Sequence, residues 1–159
     1  MPLSLIELAR EAACHAILLK AGVIDTNAVI EWADSAIVRY PRPSQDLVQL
    51  SITGCNDIGE ILTLITQVQA EGAISDWDGL KQAIPQICDY IKDSTDRGES
   101  IASYLYNMTW SLPGCEPPKE FHFLYSADDD YYLARDMQIG STEIVHQQFI
   151  DALTAAAVA

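Results

Sequence analysis

The sequence predicts an all-α fold, a single-domain array of about seven to eight helices set as stacked helix hairpins across residues 1–159. Three observations carry this expectation. Apolar residues recur at three- and four-residue steps along most of the chain, glycines and prolines stand singly where those runs end, and Ser, Asp, Asn or Thr stands where they begin. At 159 residues and 49% hydrophobic content, one domain of this length buries roughly two-thirds of its unfolded surface without help from metal or disulfide.

Leu5, Leu8, Ala12, Ala16 and Leu19 form the apolar face of a first helix that Gly22 ends, with Glu7, Arg10 and Glu11 off that face. Asp25 or Thr26 caps a second helix whose face is Val29, Trp32, Ala33, Ala36, Ile37 and Tyr40, and Pro41 and Pro43 stop it. Ser44 caps a short third helix with Asp46 in its first turn and Leu47 and Leu50 inward, closed by Gly54. Asn56 or Asp57 starts a fourth, in which Ile58, Ile61, Leu62, Ile65 and Val68 keep the spacing up to Gly72. A fifth carries Trp77, Leu80, Ile84, Ile87, Cys88 and Ile91, with Pro85 expected to kink or split it. Gly98 is expected to end the linker that follows. Ile101, Tyr104, Leu105, Met108 and Leu112 then make a sixth helix that Pro113–Gly114 stops.

The last third is less regular. Pro117–Pro118 open either a helix through Phe121, Leu124 and Tyr125 or, because FHFLY is rich in aromatics, a short strand or irregular segment near 120–126. Ser126 followed by Asp128, Asp129 and Asp130 has the pattern of an N-cap with acids in the first turn, continuing over Tyr131–Met137. Ser141 caps a final helix with Val145, Phe149, Ala152, Leu153 and Ala156 inward.

A shift of fifty residues lays Gly22 on Gly72, Ile24 on Ile74, Ile30 on Leu80, Ala33 on Ala83, Ile37 on Ile87 and Tyr40 on Tyr90. Two similar hairpins stacked side by side would produce this echo, and so in part would the shared grammar of glycine stop, apolar turn and capped helix.

Net charge is −14, and it is unevenly spread: residues 1–50 hold four basic and six acidic side chains, residues 51–159 five and seventeen. Nucleic acid and anionic membrane are thereby disfavoured as ligands, because phosphates are held mainly by Lys and Arg. No cationic stretch precedes an apolar run at the N-terminus, and Ala12–Leu19 is too short to cross a bilayer and is interrupted by His15. The expectation is a cytoplasmic protein with no membrane partner. Cys14, Cys55, Cys88 and Cys115 lie far apart, mostly at apolar helical positions, and read as small buried hydrophobes in a reducing compartment. A disulfide among them stays open.

Motifs that carry chemistry are missing. His15, His122 and His146 have no Cys, His or Glu at a metal-ligand offset, and the Cys115–His122 spacing, with two prolines inside it, is unlike a zinc knuckle. Asp128–Asp130 lacks the mid-loop glycine and terminal Glu of a calcium loop. No glycine-rich phosphate loop and no G-x-S-x-G elbow occurs. No cofactor and no enzymatic activity is therefore expected.

The run G-V-I-D-T-N-A-V-I-E-W-A-D (residues 22–34), continuing as Y-P-R-P-S-Q-D-L-V-Q-L-S (residues 40–51), resembles the opening of small acidic helical bacterial proteins of uncharacterised families. The resemblance is to the immunity-protein type that partners polymorphic or contact-dependent toxins. It implies a non-enzymatic protein that binds a cognate toxin domain and supplies no functional positions. The charge distribution places the expected contact with a basic partner surface in the later half, on Asp93, Asp96 and Glu99 before helix six and on Asp128, Asp129, Asp130 and Tyr131. Trp110 and Tyr106 lie off the helix-six stripe and, with Tyr131–Tyr132, offer rigid aromatic anchors. Packing of these rings against the irregular C-terminal third is the other reading. A helical-repeat adaptor that holds a peptide or partner helix is the alternative function.

Overall fold

A computed structural model describes residues 3–111, 116–136 and 140–159. The described residues form eight α-helices and one 3-10 turn: α1 (Leu5–Lys20), α2 (Thr26–Arg39), α3 (Gln45–Ile52), α4 (Ile58–Glu71), α5 (Asp76–Ile91), α6 (Thr95–Ser111), the 3-10 turn (Lys119–Phe121), α7 (Leu124–Arg135) and α8 (Thr142–Ala157). The fold is all-α, as the periodicity indicates, and no described helix is long and apolar enough to cross a membrane. The helix-six stop at Pro113–Gly114, Leu112, Cys115 and the Met137 end of the acidic helix lie outside the described residues.

Contacts divide the chain into two compact units, Met1–Ala83 and Ile84–Ala159, and the boundary falls inside α5. In the first unit, α1 packs on α4 and α2, and α3 packs on both α2 and α4. Leu8, Ala12, Ala16, Val29, Leu47, Leu50, Ile61 and Ile65 belong to its core. Caps fall where the sequence puts them. Ser4 and Glu7 form a reciprocal capping box on α1, Asp25 accepts the Ala28 N–H, Ser44 that of Leu47 and Asp57 that of Glu60.

α1 carries alanines at positions 9, 12, 13 and 16, all buried. Where those alanines face glycines, backbones meet. A Cβ on Gly79 would stand 2.6 Å from Ala13 Cβ and 2.8 Å from its carbonyl carbon, and one on Gly72 would collide with Ala9 Cβ. The fifty-residue echo extends to the helix starts, for α2 begins at Thr26 and α5 at Asp76. The turns before them differ by one residue: Gly22 takes the left-handed conformation at φ 74°, whereas Ala73, and not Gly72, takes it at φ 53°. The buried Gln69 amide holds this second turn by donating to the Ile74 carbonyl at 3.0 Å and to Asp76 Oδ1 at 2.7 Å.

In the second unit α6 packs on α7 and α8, and α8 packs on α7 and the 3-10 turn. Four expectations are corrected in and around this unit. Pro85 does not split α5, which runs on to Ile91 with the proline on an exposed position. Gly98 does not end a linker. Ser94 caps α6 by accepting the Arg97 N–H at 3.3 Å, so the helix starts at Thr95 and Gly98 lies inside it, where a Cβ would collide with Tyr131 Oη and His146 Nδ1. The 121–125 segment is no strand, because the 3-10 turn after Pro117–Pro118 leads directly into α7. Ser126 is no N-cap, since α7 begins two residues before it and the Ser126 hydroxyl donates back to the Phe123 carbonyl at 3.4 Å.

The glycines separate two outcomes of one substitution. Gly79→Ala gains helix propensity but forces the Ala13 contact apart, and overpacking of about 1–3 kcal/mol outweighs a gain of about 0.5–1 kcal/mol. Gly59→Ala in α4 meets only Asp57 Oδ1 at 3.7 Å and is expected to stabilise by about 0.5–1 kcal/mol. Urea midpoints of the two variants should move in opposite directions; equal shifts would refute the close-approach account.

Candidate functional site

Three places in the structure gather polar or aromatic side chains, and their geometry assigns them different roles. The first is a seam between α1 and α2. Glu11 accepts from Trp32 Nε1 at 2.8 Å and from both terminal nitrogens of Arg39 at 3.0 and 2.8 Å. His15, one turn on, stacks on Trp32 with ring centroids 4.8 Å apart and hydrogen-bonds through Nδ1 to the Glu11 carbonyl at 2.8 Å. A carbonyl only accepts, so Nδ1 carries the proton. Partial burial pushes the Glu11 carboxyl up, but the Arg39 and Trp32 hydrogen bonds and the Arg39 charge outweigh it and hold it below its ordinary value. Burial pushes His15 down and Cys14 up to about 12. Cys14 is buried, and Glu11 accepts one hydrogen bond at Oε1 and two at Oε2.

The second place is buried in the second unit. Tyr131 Oη lies 2.7 Å from His146 Nδ1, and His146 Nε2 lies 2.9 Å from the Ile91 carbonyl. Because that carbonyl only accepts, Nε2 donates to it and Nδ1 accepts from the tyrosine. Burial, with the nearby Glu99 charge, raises the Tyr131 phenol above its ordinary value. Each polar atom of the pair is engaged, and Tyr131 has no exposed surface. The expectation that Tyr131 faces a partner is therefore corrected: its ring packs edge-on against Phe149 at 5.7 Å, and its hydroxyl ties α7 to α8.

The third place is the outer surface of the α6–α7 pair, and here the expected site residues spread apart. The two helices run antiparallel, as the paired positions show: Arg135 Nη1 donates to Glu99 Oε1 at 2.6 Å, Ser103 donates to Asp128, and Trp110 stands against Tyr125. Asp128 is thus half-buried and engaged, and Glu99 is ion-paired. Asp93 and Asp96 are exposed around the start of α6, while Trp110 is near its end, roughly 20 Å away at 1.5 Å per residue. Asp129 and Asp130 are exposed on α7.

Trp110 is 67% exposed and packs edge-to-face on Tyr106 and Tyr125, at centroid distances of 6.2 and 6.0 Å, with His122 5.7 Å from Tyr125. Along α7, Tyr125, Asp129 and Tyr132 follow at helical spacing, all exposed, and Arg135 lies 5.5 Å over the Tyr132 ring. The result is an aromatic ridge, pinned by ring contacts at one end and by Arg135 at the other, with Asp129 between. Sequence reasoning selected Trp110, Tyr106, Tyr132 and the acids but missed Tyr125 and His122. Counting from the true start of α7 at Leu124 would have put 125, 129 and 132 on one face.

Family models, curated proteins and solved structures were all compared, and none matches the chain. Among the described residues no three His, Cys, Asp or Glu side chains gather as a metal cluster. The ridge therefore stands on its own chemistry: exposed rings braced by one another and by Arg135, with the Asp129 carboxylate among them.

Both polar clusters generate measurable consequences. His15 and Glu11 each titrate lower in the folded chain than in the unfolded one, so the stability each contributes is present above its ordinary value, 6.5 and 4.5 respectively, and is lost as pH falls through the lower folded value. The urea midpoint should fall in two steps on acidification; His15→Phe should remove the upper step and Glu11→Gln the lower, and an unchanged profile would contradict the assignment. Tyr131→Phe leaves His146 Nδ1 without its donor in a dry site and should cost about 1–3 kcal/mol of stability. A variant as stable as the parent would show that the pair is not structural.

Proposed function

We propose that the protein is a non-enzymatic protein-binding protein of the immunity type, which docks on a basic surface of a cognate toxin domain and blocks it. The observation that carries this reading is Trp110: a large ring held in a fixed orientation by Tyr106 and Tyr125 while two-thirds exposed. Its exposed apolar area is free to be covered, and burial of apolar area is worth about 25 cal/mol per Å². A partner that covers it recovers that free energy.

Charge supports the polarity of the partner. Residues 84–159 hold twelve acidic and four basic side chains, and Asp129 lies on the ridge itself. Opposite charge speeds encounter, and the desolvated rings set the lifetime of the complex. An adaptor that holds a partner helix draws less support, because the cavity between α7 and α8 has a volume of about 210 Å³, the size of one side chain.

The test is binding to the product of the neighbouring gene. Trp110→Ala should weaken it by about 2 kcal/mol, roughly thirtyfold, mainly through faster dissociation. Asp129→Lys should slow association, and raising salt from about 0.01 to 0.1 M, which shortens the screening length from about 30 to 10 Å, should do the same to the parent. Absence of binding, or binding indifferent to salt and to Trp110, would overturn the proposal.

A further inference from the structure

The cavity between α7 and α8 has features that the ridge does not explain. Phe123 and Phe149 meet edge-to-face across it at 6.2 Å, and Val145 and Ala152 of α8 complete an apolar lining. Asp130 and Gln148 also line it. No cation among the described residues pairs with Asp130, whose one contact is a long hydrogen bond from Ser126 Oγ at 3.4 Å. At about 210 Å³ it falls below the roughly 300–1,000 Å³ of pockets that take cofactors and drug-sized ligands.

From this the geometry points to a subsite for one guanidinium-tipped side chain, an arginine presented by the partner. Apolar walls with a single unpaired carboxylate suit a ligand with an alkyl stem and one cationic head. Arginine fits better than lysine on two counts. Its planar fork engages both oxygens of a carboxylate, and its weakly hydrated head gives up less water on entering an aromatic-lined cavity, where phenyl faces also attract it. Charge complementarity agrees, because Asp128 and Asp129 precede Asp130 on the same helix turn and residues 84–159 are net acidic. Asp128 is engaged by Ser103, which leaves Asp129 to the ridge and Asp130 to the cavity. The three acids that the sequence presents as one run thus serve three directions.

This inference deepens the docking proposal and rests on it for the identity of the partner, but a small probe tests the cavity by itself. n-Butylguanidinium, titrated into the full-length protein and followed by amide chemical shifts, should give saturable shifts on the cavity faces of α7 and α8. n-Butylammonium should bind more weakly, and neutral n-butanol should give no saturable shift at all. Asp130→Asn, an exposed and nearly isosteric change, should weaken the guanidinium probe at least about tenfold, and Ala152→Leu, which fills the cavity, should abolish its shifts. Equal binding by Asp130→Asn, or shifts scattered over Asp93, Asp96 and the other surface acids, would overturn the subsite. If the partner binds the parent and Asp130→Asn equally while the probe fails, the docking proposal stands and the subsite falls. If the probe binds at Asp130 and no basic partner does, the reverse holds.

Discussion

Close approach at three glycines, by a neighbouring helix at Gly72 and Gly79 and by two side chains at Gly98, sets how closely the helices of each unit pack. Gly72 and Gly79 let the ends of α4 and α5 that belong to the first unit lie directly on Ala9 and Ala13 of α1. Gly98 leaves room in α6 for the hydroxyl of Tyr131 and the ring of His146. Glycine inside a helix costs about 0.5–1 kcal/mol relative to alanine. At Gly79 and Gly98 the cost is offset by contacts that no other residue permits: helix on helix with only alanine methyls between, and a tyrosine–histidine hydrogen bond sealed from water. The second of these fixes α7 against α8, and thereby fixes where the ridge and the cavity stand.

The polar side chains of the two clusters each have at least one partner whose chemistry matches it. Glu11 takes three N–H donors, His15 and His146 each give their one proton to a backbone carbonyl, and Tyr131 donates to the remaining nitrogen of His146. Both ring nitrogens of His146 are engaged, whereas Glu11 accepts one hydrogen bond at Oε1 and two at Oε2. The shifted titration at Glu11, His15 and Tyr131 arises from burial, hydrogen bonding and neighbouring charge.

Helix existence and type were legible because they depend on local signals. Asp25, Ser44, Asp57 and Ser141 each accept the N–H they are spaced to accept; Val29, Trp32, Ala33 and Ala36 of the α2 stripe and Ile61, Ile65 and Val68 of the α4 stripe are buried, whereas Ile58 at the start of α4 is exposed. The misreadings share another cause: in each, a tertiary contact or a neighbouring turn outweighed the local signal. Gly98 looks like a stop until Tyr131 and His146, far along the chain, require its missing Cβ. Ser126 looks like a cap until the 3-10 turn before it has already begun winding the chain. Tyr131 looks like half of an exposed tyrosine pair, yet a one-residue step around a helix turns its side chain by 100° from that of Tyr132, enough to bury one and expose the other. The site was legible as residue types and not as a surface, because the ridge is assembled from the end of α6 and one face of α7, and that face depends on where α7 starts.

Burial of Tyr131 in fact strengthens the case for the surface beside it. Had both tyrosines been exposed, α7 would present rings around half its circumference with little to orient them. Instead the inner ring anchors the helix, and the outer residues inherit its rigidity: Tyr125 is braced by Trp110 and His122, and Tyr132 by Arg135. Binding then orders few side chains that are not already ordered, and immobilising a flexible one costs about 0.5–1.5 kcal/mol. Asp129 and Asp130 stand on either side of the line that divides ridge from cavity, so one acidic run places a carboxylate on each. A partner that engages both must present an apolar surface with a basic residue beside it, a narrower requirement than net charge alone would impose.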